Sequence, residues 1–148
     1  MMEWGHDFET GLAEIDVQHR YFFQLIQRAN EVRISADVQD RSALLNELLG
    51  YANCHFGYET ALMRAYGYPG RVQHVTEHEQ ILSQLKSFLS EENANFHKVT
   101  MLLFNWFSAH STLEDRALAK YVVDCRARVL DESPETLRVF GLREQVGT

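Results

Sequence analysis

Apolar residues recur every three or four positions along most of the chain, which is the spacing of one face of an α-helix. Four stretches carry this pattern, and they predict helices at residues 16–34, 41–66, 72–90 and 96–129. No stretch shows sustained alternation of apolar and polar residues, so the sequence predicts no β-sheet. Four amphipathic helices with short connections indicate an all-α fold, an antiparallel up-down four-helix bundle.

Each predicted helix has an apolar stripe that should face the core. The expected core positions are Ile15, Phe22, Leu25, Ile26, Ala29, Val32, Leu45, Leu48, Ala52, Phe56, Leu62, Met63, Val75, Ile81, Leu82, Leu85, Leu89, Val99, Leu102, Leu103, Trp106, Leu113 and Tyr121.

Turn-forming residues separate the predicted helices. The sequence Gly-Tyr-Pro-Gly at residues 67–70 is the strongest break, because glycine permits positive φ and proline fixes its own φ. Polar residues predict the other two connections, at residues 35–40 and 91–95. Beyond the fourth helix, Pro134 predicts the start of a short helix. The chain therefore divides into a bundle at residues 1–130 and an extension at residues 131–148, which is expected to be a docked helix, a dimer contact or a linker to an output domain.

Composition and charge narrow the function classes. Hydrophobic residues make up 45% and charged residues 24% of the 148 positions, which is typical of a globular domain. The net charge of −7 argues against nucleic acid as a partner, because phosphate binding requires a basic surface.

The cysteines and the first residues of the chain indicate a compartment. Two cysteines make no disulfide framework and fit a reducing environment, and Cys54 is expected to be a buried, inert thiol. The first residues do not have the pattern of a secretory signal, and the longest apolar run, residues 101–104, is too short to span a bilayer. We therefore expect a cytoplasmic protein that does not associate with membranes.

Seven histidines are a high count, and five of them share the predicted core faces. His55 and Glu59 are four residues apart, as are His74 and His78, so each pair lies on one helix face. The five expected core histidines are His19, His55, His74, His78 and His110, whereas His6 and His97 are expected at the surface. A single core histidine is usually structural, but five on four helices, at similar levels of the bundle, indicate a buried cluster.

The composition of this cluster favours a pair of metal ions. Five imidazoles with carboxylates exceed the four ligands of a structural zinc site, and they offer too much nitrogen for calcium or magnesium. Two octahedral first-row ions bridged by carboxylates suit this number, and iron is the natural choice. Ferritin-like di-iron enzymes use paired Glu-x-x-His motifs, which the four predicted helices lack, so the histidine-rich set favours reversible chemistry.

Several motifs resemble the hemerythrin family, specifically its bacterial branch, over residues 4–128. They are Trp4, Gly11, the sequence Ile-Asp-Val-Gln-His at residues 15–19, His-Phe-Gly-Tyr-Glu at residues 55–59, Met63, Tyr68, Pro69, His74, His78, Trp106, His110 and Asp115. The resemblance implies a hemerythrin-like di-iron bundle with an oxo or hydroxo bridge and with O2 as its ligand.

The resemblance also implies a role for each metal ligand. His74, His78 and His110 would bind one iron that has no open position, and His19 with His55 would bind the other iron, which keeps one position open. Glu59 and Asp115 would bridge the two irons. Helical spacing by itself favours Glu114, because i+4 from His110 shares its face whereas i+5 does not, so Glu114 stays as the alternative to Asp115.

Four further residues are expected around the O2 pocket, namely Trp106, Phe56, Phe107 and Ser111. Phe107 and Ser111 stand where the family usually has leucine and isoleucine. A hydroxyl at Ser111 would bring water or a proton donor closer to O2, so faster autoxidation than in an oxygen carrier is expected.

The resemblance therefore implies an O2-binding protein rather than an enzyme, used for oxygen or redox sensing, or otherwise for carriage or storage. The alternatives are a di-iron oxidase or peroxidase that removes O2 or peroxide, and a storage or purely structural metal bundle. A homodimer or a signalling output domain reached through the extension is a further expectation.

Overall fold

The computed structural model describes residues 3–32, 38–91 and 95–131 and shows five α-helices. They are α1 (Ala13–Val32), α2 (Val38–Ala65), α3 (Arg71–Ser90), α4 (Phe96–His110) and α5 (Arg116–Leu130). A π-helical turn, Ser111–Asp115, joins α4 to α5, so the fourth long rod of the bundle is formed by three consecutive segments. The described residues contain no strand, which confirms the predicted all-α class.

Contacts between neighbouring helices establish the antiparallel arrangement. On α1 and α2, His19 lies against His55 while Arg28 pairs with Glu47, so one helix rises as the other descends. The same reversal relates α2 to α3, because Glu59 meets His74 and Phe56 meets His78. The four rods thus form the predicted up-down bundle.

The helix boundaries differ from the prediction by a few residues. α1 and α2 each begin three residues earlier than predicted, and Asp40, expected in a connection, lies in the first turn of α2. The predicted helix after Pro134 lies outside the described residues, as do residues 33–34 at the end of the first predicted helix and residues 35–37 and 92–94 of the two predicted connections.

The predicted break at residues 67–70 ends α2 through a Schellman motif. The Tyr68 N–H donates to the Met63 carbonyl at 2.9 Å, and the Gly67 N–H donates to the Arg64 carbonyl at 3.3 Å. Gly67 has φ +61, a left-handed conformation that glycine adopts without steric cost. This tight turn places the end of α2 directly beside the start of α3, where Glu59 and His74 meet.

Most predicted core positions are buried, but Leu113 is 66% exposed. That part of the prediction was wrong because the assumed stripe ran through Trp106, at the edge of the buried face. The centre of that face runs through Leu103, Phe107 and Ser111 instead.

A polar layer divides the core into two apolar clusters. The larger cluster extends from Phe22 on α1 to Phe107 on α4, and the smaller one contains Ile15, Met63 and Leu118. On α1, on α2 and along the fourth rod, the buried histidines and carboxylates lie between residues of these two clusters. The bundle therefore holds its polar side chains in a layer that apolar residues cover on both sides.

An N-terminal arm, residues 3–12, covers one side of this layer. The Arg116 guanidinium donates to the carbonyls of Asp7 at 2.6 Å and Glu9 at 3.2 Å, which fixes the arm to the end of the π-turn. Phe8 of the arm stacks on Phe107, with ring centroids 6.2 Å apart. None of the described helices is long and apolar enough to cross a membrane.

Because Leu48 is buried and Leu113 is exposed, their replacement should have different effects on the free energy of unfolding. Leu48→Ala should lower the free energy of unfolding by about 2–5 kcal/mol, because it leaves a cavity in the larger cluster. Leu113→Ala should lower it by less than about 0.5 kcal/mol, because the side chain is exposed. Guanidinium unfolding of proteins with matched metal content tests both, and equal losses would contradict this assignment of the core.

Candidate metal centre

The polar layer brings together all seven predicted metal ligands. Each is at least 95% buried, and they come from every rod of the bundle. They are His19 on α1, His55 and Glu59 on α2, His74 and His78 on α3, His110 on α4 and Asp115 in the π-turn. Their nitrogen and oxygen atoms form two groups that could each hold a metal ion, and both groups include Glu59 and Asp115.

The three-histidine group surrounds one oxygen of each carboxylate. Glu59 Oε2 lies 3.2 Å from His74 Nε2 and 3.1 Å from His78 Nε2. Asp115 Oδ1 lies 3.0 Å from His74 Nε2 and 3.1 Å from His110 Nε2. Five donor atoms therefore converge on one point.

The two-histidine group uses the other oxygen of each carboxylate. Glu59 Oε1 lies 3.1 Å from His55 Nε2 and 3.8 Å from His19 Nε2, and Asp115 Oδ2 lies 3.1 Å from His19 Nε2. Four donor atoms converge here. Each carboxylate thus directs one oxygen to each group, which is the geometry of a bridging ligand.

The π-turn explains why Asp115 rather than Glu114 reaches the cluster. In a regular α-helix the residue at i+4 shares the face of residue i, but a π-helical turn inserts one more residue. The turn Ser111–Asp115 therefore moves the i+5 position onto the face of His110, and Asp115 is 1% exposed there. Glu114 is half-buried and lines a surface crevice instead.

Burial and close contacts act in opposite directions on the protonation of the cluster. Burial by itself lowers the pKa of His19 and of His74, but the close carboxylates of Asp115 and Glu59 outweigh it and raise each pKa to about 9. Burial lowers the pKa of His78. Burial alone would raise the pKa of Glu59 and of Asp115, yet the surrounding imidazoles hold both below the usual range. The carboxylates are therefore anionic at neutral pH and available as ligands.

Buried acceptors without directed hydrogen bonds show that the donor set fits metal ions. Among the described residues, Glu59 Oε1 and Asp115 Oδ1 accept no well-directed hydrogen bond, although ring nitrogens lie 3.1 Å from each. The Nε2 atoms of neighbouring histidines are 3.0–3.1 Å apart. Two nitrogens at right angles around an ion, each about 2.1 Å from it, are separated by about 3.0 Å. Imidazole with carboxylate suits first-row transition metals.

Two outer contacts were not predicted from the sequence. Gln18 Oε1 lies 2.6 Å from His55 Nδ1, and Glu77 Oε2 lies 2.9 Å from His110 Nδ1. Such acceptors orient the ring of a metal-bound histidine and direct its Nε2 to the metal. In the sequence, Gln18 is next to His19 and Glu77 is next to His78, not next to the histidines that they contact. Polar residues in such positions are equally typical of solvated helix faces, so the sequence provides little signal for these contacts.

The four expected pocket residues occupy two different sides of the centre. Phe56 stacks on His78 at 3.8 Å and Trp106 stacks on His110 at 4.3 Å, so both lie against the three-histidine group. Phe107 packs edge-on against His19 at 5.1 Å, beside the two-histidine group. Ser111 is 1% exposed, and its hydroxyl has no hydrogen-bond partner among the described residues. The contribution of these residues to an O2 pocket stays a prediction.

The other histidines and Cys54 lie away from the centre. The side chain of His6 is 97% exposed and pairs with Glu9, and His97 is exposed. Cys54 is exposed rather than buried, so that expectation was wrong. It precedes His55 by one residue, and a rotation of about 100° carries its side chain off the core face.

A four-helix bundle that buries an imidazole and carboxylate cluster of this kind belongs to the helical metal-binding proteins. The family model described as the hemerythrin HHE cation binding domain matches residues 10–122. The chain therefore belongs to the hemerythrin family, and it contains a bacterial hemerythrin-like domain.

Individual relatives agree with this assignment. A bacteriohemerythrin of Stenotrophomonas maltophilia is 26% identical over 82% of each chain, and one of Clostridium acetobutylicum is 26% identical over 78% of this chain and 97% of its own. A crystal structure of wild-type hemerythrin superposes with a TM-score of 0.75 at 20% identity, covering 82% of this chain and 98% of that chain. This last likeness concerns the fold.

A pair of matched variants tests the choice between the two acidic residues. Asp115→Asn should weaken metal binding by more than about ten-fold, because even an outer contact to a ligand is worth that much. Glu114→Gln should retain wild-type binding. Metal content after dialysis against a graded chelator series measures both, with circular dichroism to check folding. Loss of metal in the Glu114 variant alone would contradict the π-turn assignment.

Proposed function

We propose that the centre holds two iron ions with an oxo or hydroxo bridge and binds O2 reversibly, for oxygen or redox sensing. The observation that carries this proposal is the unequal division of donor atoms. The three-histidine group supplies five donors and the two-histidine group supplies four, with both carboxylates shared. In octahedral coordination, one bridging solvent atom would complete the first group and leave the second with one open position.

The bound ion pair would supply the two electrons that reversible O2 binding requires. The chain's own residues would fix the ligands and exclude water. Phe107 packs against His19 on the two-histidine side, with Phe22 at 5.5 Å and Phe8 of the arm at 6.2 Å behind it. This aromatic shell favours a small apolar diatomic molecule over a polar substrate.

Two surface crevices among the described residues, of about 330 and 130 Å³, are lined by residues other than His19 and His55. We assign O2 binding to the bundle at residues 1–130 and regard carriage or storage as the alternative use of the same site. The extension at residues 131–148 would provide the contact to a second copy or to an output domain in a cytoplasmic protein.

A second candidate function is a peroxidase or oxidase, and Ser111 favours it. Its buried hydroxyl has no partner among the described residues, so it is available to donate a hydrogen bond to a ligand or to a water molecule. A donor of this kind would assist proton delivery and hence oxidation of the centre.

An optical spectrum distinguishes the two functions. The iron-loaded, chemically reduced protein should develop a visible charge-transfer band in air, and the band should disappear under argon. Bleaching without recovery, or steady consumption of peroxide with a reductant, would instead support the peroxidase. Total iron measured on the same sample should be two per chain.

The role of the Ser111 hydroxyl can be tested separately. Ser111→Ile should slow, by about ten-fold or more, the conversion of the reduced protein in air to an oxidised form that argon does not reverse, because it removes a donor and excludes water. Thr112→Val is the control, since the Thr112 hydroxyl is already bonded to the Ser108 carbonyl at 2.7 Å. Stopped-flow spectra give both rates, and equal rates in the two variants would show that Ser111 does not influence oxidation.

A further inference from the structure

Glu77 is not one of the seven predicted metal ligands, but its side chain contacts one of them. It lies on α3 between His74 and His78, and its side chain crosses to α4, where Oε2 is 2.9 Å from His110 Nδ1. The side chain of Glu77 is 27% exposed, whereas that of His110 is 4% exposed. The carboxylate therefore keeps contact with water while it accepts a hydrogen bond from a buried ring.

The equivalent contact in the two-histidine group is made by a neutral residue. His55 Nδ1 faces the Gln18 amide oxygen at 2.6 Å. The Nδ1 atoms of His19 and His78 are buried and have no partner among the described residues. Within the described part of the chain, a carboxylate thus acts on a ring of the three-histidine group, and an amide acts on a ring of the two-histidine group.

This difference has an electronic consequence. A hydrogen bond from Nδ1–H to a carboxylate is stronger than one to an amide, and it makes Nε2 a better electron donor. A better donor stabilises the more highly charged state of the ion that it binds. Glu77 would therefore favour the oxidised state at the three-histidine ion, while Gln18 orients His55 with a smaller electronic effect.

The orientation of the His110 ring does not depend on Glu77 alone. Trp106 stacks on this ring with an interplanar angle of 14° and a centroid separation of 4.3 Å. A variant that removes the charge of Glu77 but keeps its shape should therefore leave the ring in place. An experiment at this position can therefore separate the effect of the Glu77 charge from the effect of the His110 ring orientation.

We propose that Glu77 is a positioning residue for the metal centre, which fixes the His110 tautomer and lowers the reduction potential of the three-histidine ion relative to its neighbour. The proposal depends on the proposed function in so far as it requires a metal-loaded centre. It adds to that function a device that makes the two ions unequal, beyond their different numbers of ligands.

The test compares Glu77→Gln with Glu79→Gln in the iron-loaded protein. Both variants remove one negative charge from α3. Glu79, however, is exposed, and among the described residues it makes no hydrogen bond to any of the seven predicted metal ligands. Glu77→Gln should change the ratio of oxidised to reduced protein at a fixed potential by about ten-fold, a rise of about 59 mV for a one-electron step. Glu79→Gln should leave the midpoint potential at the wild-type value.

Two further measurements keep the proposal falsifiable. Gln18→Glu should shift the potential in the opposite direction, because it places a carboxylate on His55. Cobalt(II) binding, read from its visible spectrum, should be weakened about ten-fold by Glu77→Gln, and this readout needs neither iron nor O2. Equal potentials and equal cobalt affinities in Glu77→Gln and Glu79→Gln would overturn the proposal while leaving the proposed function intact. Failure of the wild-type protein to bind either metal would overturn both.

Discussion

The structure depends on the burial of two carboxylates among five imidazoles in the middle of an apolar core. Glu59 and Asp115 are almost completely removed from water, and an isolated carboxylate in that position would cost many kcal/mol. Contacts of 3.0–3.2 Å with ring nitrogens from α1, α3 and α4 compensate for this loss of hydration. Because each carboxylate faces two sets of rings, a displacement of any one rod disturbs both sets.

The same requirement explains the irregularity of the fourth rod. A regular helix would direct the i+4 carboxylate inwards from His110 and would present Glu114 to the core. The π-helical turn shifts the face by one residue, and the helix beyond it, α5, still buries Leu118 and Val122 in the smaller cluster. Such turns are found often at functional sites, since they redirect one side chain without breaking the helix.

Much of this arrangement follows from spacing that the sequence displays. Pairs such as His55 with Glu59, and His74 with His78, share a helix face by simple periodicity, so the cluster and the bundle could be predicted together. Asp115 could not be derived in this way, because a π-helical turn leaves no local signal that separates it from a regular helix. It was predicted from family resemblance instead.

The remaining errors and omissions have similar physical causes. Leu113 was assigned to the core because it lies seven residues after Trp106 and so continues the same stripe. Trp106 lies at the edge of the buried face, and the continuation from this edge leads to the surface. Glu77 and Gln18 were missed because a contact between side chains on two rods depends on the rotation of both helices, which hydrophobic periodicity fixes only to within part of a turn.

The bonds from Arg116 to the carbonyls of Asp7 and Glu9 connect the centre to the outside of the molecule. Arg116 follows Asp115 directly, so one residue contacts both sets of imidazoles while the next holds the backbone of the N-terminal arm. A peptide unit is planar and stiff. A displacement of the Asp115 backbone therefore moves the Arg116 backbone with it, and the guanidinium of Arg116 is bonded to a segment at the protein surface.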